Sequence, residues 1–178
     1  MIMPPPVRKV VLTVHVSTSV GWLGAVVAYL ALDITTVASD DVSTVRGAYV
    51  AMDLIVRSTI VPLAVASVLI GTLNALGTSW GLIRHYWVLV KLVLTVVATL
   101  VLLQEVSSVR YLADLAATST DPRPLSSTLV HSGGGLLILL TTTVLSVVKP
   151  RGLTRYGWRK QNQQQDSQRA RRAARLSL

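Results

Sequence analysis

An all-α fold, a four-helix bundle spanning a membrane, follows from three observations on this sequence. Apolar residues make up 51% of the chain and charged ones only 14%. That is roughly half of the ~25% charge a soluble domain uses to solvate its surface. The apolar residues, almost all Val, Leu and Ala, gather in four runs, each close to the ~20 residues a helix needs to cross a hydrocarbon core. Between the runs the charge alternates in sign, as a chain threading back and forth requires. Length allows one domain, and the absence of Cys removes thiolate metal sites, disulfides and cysteine nucleophiles.

Residues 1–9 form a short lead. Its "MIMPPP" is expected to stay non-helical, and Arg8 and Lys9 supply positive charge. The first span covers about 10–32. It is too long for the ~7–15-residue apolar region of a cleaved signal and ends in "ALDITT" without a small-residue cleavage site. The second covers about 48–76, the third 84–104 and the fourth 127–148, where Pro150 and Gly152 end the helix. The connections 33–47 and 105–128 are net acidic, with Asp33, Asp40, Asp41, Glu105, Asp114 and Asp121 against Arg46, Arg110 and Arg123. Arg84 and the tail are basic. Only one placement puts every basic piece inside: both termini cytoplasmic.

The tail, 149–178, carries nine Lys/Arg against Asp166 alone. Next to a span, such a cluster reads as a stop-transfer signal held against anionic lipid. No nucleic-acid partner is expected. Tyr156 and Trp158 suit the interface, and the Gln-rich stretch beyond them is expected to be disordered.

Polar residues inside spans carry the functional question, because charge in hydrocarbon costs several kcal/mol unless paired or wetted. On the second helix Asp53, Arg57, Ile60, Ala64, Ser67, Gly71 and Asn74 recur at spacings of four and three and form one stripe. Asp53 and Arg57, one turn apart, can pair. Such a pair either fixes packing or serves a small permease or ion-handling protein, which would need homo-oligomers to enclose volume. The third helix shows a matching stripe through Arg84, Lys91, Thr95, Ala98 and Glu105. On the first helix His15 shares a face with Ser19, Trp22 and Tyr29. His15 is either a neutral imidazole bonded to Lys91, Asn74 or a hydroxyl, or a ligand; Trp22, mid-span, is packing filler or a pocket wall. Gly133 to Gly135, like Gly21 and Gly24 with Ala25 and Ala28, suggest close approach of a second backbone or a flat ligand.

Depth sorts these groups into two layers. The inner has His15, Asn74, His85 and Lys91; the outer has Asp53, Arg57, Gln104, Glu105 and His131, with Tyr29 beside them. His15 and His131 are about 20 Å apart along the membrane normal by helical rise, too far to share one haem iron. His85 is the better axial partner for His15. The sequence has no phosphate-binding loop, dinucleotide fingerprint, metal-spaced His/Glu cluster or Ser-His-Asp arrangement.

"LTVHVSTSVGWLGAVVAYLAL", "YWVLVKLVLTVVATLVLL" and "HSGGGLLILLTTTVLSVVKP" resemble small uncharacterised bacterial four-helix integral-membrane proteins. This likeness, over about 10–157, implies the bundle fold and a bacterial plasma membrane. A shorter likeness, through His15, Trp22, Gly24, Trp87, Lys91 and Leu92, is to four-helix bacterial protoporphyrinogen oxidases. It implies haem b or porphyrin at an inner site of His15, Trp22, His85 and Lys91. Gln104 and Glu105 stand where that family's third helix ends in His. The leading expectation is a non-enzymatic structural or accessory component, alone or with a membrane partner protein. A haem-binding or redox protein and a small permease are the alternatives.

Overall fold

The computed structural model describes residues 3–77, 85–150 and 152–176, without the side chains of 164 and 170–176. Arg84 lies outside them. Among the described residues all regular structure is helical: α1 (Pro5–Ala38), α2 (Val42–Ile55), a π-helical turn (Val56–Ile60), α3 (Val61–Gly77), α4 (Tyr86–Thr118), α5 (Leu129–Val148) and α6 (Arg155–Leu176). Four helical units are long and apolar enough to cross a membrane: α1, the continuous stretch Val42–Gly77, α4 and α5. They pack as a ring in which each unit meets its sequence neighbours and α5 closes against α1. The core holds Trp22, Val26, Tyr29, Val56, Ile60, Ala64, Ala98 and Leu139. Val20, Leu54, Leu69, Leu100, Leu137 and Val147 point outward and exposed, the apolar girdle a bilayer solvates and water does not.

Several local outcomes differ from what the sequence suggested. The lead is helical from Pro5, with prolines at the first helical positions. Proline is tolerated there because the first amides have no intrahelical partner. The connections are much shorter than 33–47 and 105–128. α1 runs on to Ala38, α2 starts at Val42 and α4 reaches Thr118. Asp41 caps α2 by accepting from the Ser43 and Thr44 amides. Arg46 crosses to α4, donating to the Ala116 carbonyl at 3.0 Å and the Ser119 carbonyl at 2.8 Å, where a cation complements the helix C-terminus. Val45, Tyr49 and Ala116 form a small second core at this end.

The tail, expected to be disordered, forms α6. Its Gln, Arg and Ala are good helix formers, and the Thr154 hydroxyl accepts from the Gly157 amide at 3.1 Å as an N-cap. α6 shares no extended interface with the bundle among the described residues. At α5's end Lys149 adopts the left-handed conformation, φ 45°, the usual helix stop ahead of a proline. The Met3 amide donates to the Gly77 carbonyl and the Tyr86 amide to the Gly152 carbonyl. Both chain ends thus meet the bundle at one end, here the terminal end; the Asp41 side is the distal end.

A candidate functional site in the distal half

Helix pairings fix the depth of each polar group. Ser19 and Ser67 hydroxyls meet at 2.8 Å, and the His15 ring lies on Gly71, where a Cβ would come within 2.7 Å of Cε1. The Lys91 ammonium donates to the Ser146 hydroxyl at 2.7 Å. Farther along the same two helices, His131 Nε2 stands 3.5 Å from Glu105 Oε1. From His131 to Ser146 is about 22 Å by helical rise. His15, Ser19, Ser67, Lys91 and Ser146 therefore form the terminal layer, and Glu105 and His131 belong to the distal one.

The terminal layer gathers fewer of the expected partners than the sequence suggested. His15 Nδ1 is buried with no hydrogen-bond partner among the described residues. Lys91 bonds Ser146 on α5 instead of the imidazole. His85 forms the start of α4, bridged through its backbone to Leu153, with its ring tilted against Trp87 at 6.5 Å between centroids. Asn74 is half-buried on α3.

In the distal layer the Asp53–Arg57 ion pair forms within the helix. Asp53 is buried, and its Oδ1 has no partner among the described residues. Arg57 leaves the buried stripe: its side chain is 49% exposed, and Val56 takes the inward position. The cause is the π turn. Pro62 has no amide for the Ser58 carbonyl, and its ring would press on that carbonyl. The backbone widens, with the Val61 amide reaching Val56, and the added residue rotates Arg57 outward. The rest of the stripe, Ile60, Ala64 and Ser67, stays buried.

One buried acid carries most of the distal hydrogen bonding: Asp33, which the sequence placed in a loop. It is fully buried at the start of α5. Its Oδ1 accepts from the Thr128 amide at 3.1 Å; its Oδ2 accepts from the Thr128 hydroxyl at 2.8 Å and the Ser132 hydroxyl at 2.9 Å. A carboxylate at a helix N-terminus also complements the macrodipole. Because the Thr128 hydroxyl donates to Asp33, the Tyr29 hydroxyl, 2.7 Å from it, donates to Thr128. The signal in the sequence was Thr128 and Ser132 one turn apart, facing the only acid at the end of the first run.

Beneath this network lies a cavity of about 230 Å³ between α1, the π turn, α4 and α5. Trp22 and Ile138 line its deeper part and Tyr29, Glu105 and Thr128 its distal part, so Trp22 is both a core residue and a pocket wall. Val101, Val130, His131 and Gly134 line it and are also exposed, so it opens sideways between α4 and α5. No backbone packs on the triple glycine: a Cβ at Gly133, Gly134 or Gly135 would meet nothing within 4 Å. The missing side chains leave space, and Gly134 and Gly135 form part of the wall. Gly21 faces Leu63 and Gly24 faces open space. Gln104 is exposed on α4 and outside the cavity lining.

In comparisons with known proteins, the chain matches no family model, no curated protein and no solved structure.

Proposed function

We propose that this chain is a multi-pass accessory protein of a bacterial plasma membrane, both termini cytoplasmic, that holds a small apolar molecule drawn sideways from the bilayer. The half-open apolar cavity between α4 and α5 carries this reading. Ligand sites are concave, mostly apolar and fixed by a few polar groups, and this cavity has that character. The basic charge at the terminal end supports the orientation. Binding follows from burial alone and calls for no bond-making group, so the role is one of holding or presenting a molecule.

Among the described residues nothing favours haem at His15, His85 and Lys91. None of the three lines the described cavity, which at about 230 Å³ falls below the ~300 Å³ at which drug-sized sites begin. The His15 ring is wedged against Gly71 instead of facing a slot for a macrocycle. A Soret band in the purified protein, retained in His131→Ala and lost in His15→Ala, would replace the present reading.

The test uses butylbenzene as an apolar probe with the protein in nanodiscs. The wild type should gain thermal stability as probe is added. Gly135→Leu, which fills the cavity wall, should fold yet gain nothing. Equal gains in both, or none in either, would overturn the proposal.

A further inference from the structure

Resting on that reading, we infer that the cavity selects a small lipophilic ammonium, with its charged head at the Glu105 carboxylate and its apolar body reaching toward Trp22. The inference comes from which polar groups at the cavity are already committed. Tyr29 donates its hydroxyl proton to Thr128, and Thr128 and Ser132 donate theirs to Asp33. Those three residues line the cavity, yet their hydroxyls have no proton left for a ligand. Glu105 is different. Its carboxylate can accept several hydrogen bonds, and its ion-pair contact among the described residues is His131 Nε2 at 3.5 Å, longer than a charge-assisted bond of ~2.7–2.9 Å.

The cavity therefore offers an under-used acceptor, and the ligand must bring the donor. Charge points the same way. The distal layer holds three carboxyl side chains, Asp33, Asp53 and Glu105, against Arg57 and His131. Arg57 is occupied by Asp53 and does not line the cavity, so it does not neutralise Glu105. Tyr29, in the distal part of the cavity with Glu105, adds an aromatic ring of the kind that attracts a cation. The volume limits the body to about one ring and a short chain. Entry is through the membrane-facing mouth, where Val101, Val130 and Gly134 are exposed and an amphiphilic amine would already be concentrated.

Three probes of one shape decide the matter: 4-phenylbutylammonium, 4-phenylbutanol and 4-phenylbutyrate, titrated calorimetrically into the full chain in phosphatidylcholine nanodiscs, with empty nanodiscs subtracted. The ammonium should bind about tenfold more tightly than the alcohol, the scale of one charge-assisted hydrogen bond, and the butyrate most weakly. Glu105→Gln should erase the ammonium's advantage and leave the alcohol unchanged. An alcohol that binds as well as the ammonium, or a preference for the butyrate, overturns this inference while leaving the apolar site standing. A preference that survives in Glu105→Gln moves the head away from Glu105 and overturns it too. No binding by any of the three overturns both readings. If the variant fails to fold, the order of affinities in the wild type still supports or overturns the inference.

Discussion

Asp33 shows most clearly how a single side chain organises the distal half of the bundle. Three donors from the start of α5 converge on its carboxylate, so removing one leaves a buried acceptor short. Thr128→Val should cost about 1–3 kcal/mol in denaturant unfolding of the detergent-solubilised protein. The Asp53–Arg57 pair should behave asymmetrically. Arg57→Gln strands a buried carboxylate whose second oxygen is already unpartnered among the described residues, whereas Asp53→Asn leaves a half-exposed guanidinium that can reach water or headgroups. Arg57→Gln should therefore be the more destabilising single change, and the double variant should recover much of the loss in a double-mutant cycle. Two thermally neutral single variants would mean the pair is wetted. The pair itself was legible from its spacing. Asp33 was not, because its burial depends on α1 continuing past the apolar run and on a helix almost a hundred residues away.

Elements repeat the pattern: their existence follows from local sequence, their ends and faces from packing. The four spans were legible as apolar runs, but polar extensions such as 33–38 and 105–118 are helical because each packs on α2, the second of them through Tyr49, Ala116 and Arg46. Pro62 was the visible cause of the π turn, and the regular spacing of the stripe hid it. Deleting Ser58 should convert that turn to α-helix and swing α3 by about 100°, breaking Ser19–Ser67 and the His15–Gly71 contact; the variant should fail to give a cooperative melt. In α5, the open space around Gly133 means that Gly133→Ala should be neutral or raise stability by up to ~1 kcal/mol. A large loss there would restore the tight-packing view of the triple glycine. In the α4–α5 connection, hydrogen bonds from Arg123 hold the Asp121 carboxyl down at about 2, below its ordinary 3.8. Because the folded value is the lower one, the order this turn gains is full above pH 3.8 and fades as pH falls toward about 2. Hydrogen exchange at the Arg123 and Leu125 amides should accelerate over that window, with little change in global stability because the pair is exposed.

Across the whole molecule, charge and hydropathy give the architecture, and the cavity arises where the ring of helices lacks side chains to fill it. Neither feature involves α6, so deleting residues 160–178 should leave the melting temperature unchanged; a large fall would mean that the tail docks on the bundle. Reporter fusions after residues 40 and 120 should be extracytoplasmic and those after 80 and 160 cytoplasmic. A cytoplasmic signal at 120 would reject the orientation. The cavity was only partly legible. Trp22 and the glycines signalled it, but their meeting point required the pairing of α1, α4 and α5. The central claim is that this space admits a molecule from the bilayer. Photolabelling in nanodiscs with a diazirine-bearing alkylbenzene, followed by peptide mapping, tests it most directly. Trp22 and Leu139, buried in the cavity wall, should be labelled along with lipid-facing Leu100 and Leu137, and Gly135→Leu should abolish the first pair of adducts alone. Labelling confined to Leu100 and Leu137 in the wild type would contradict the account.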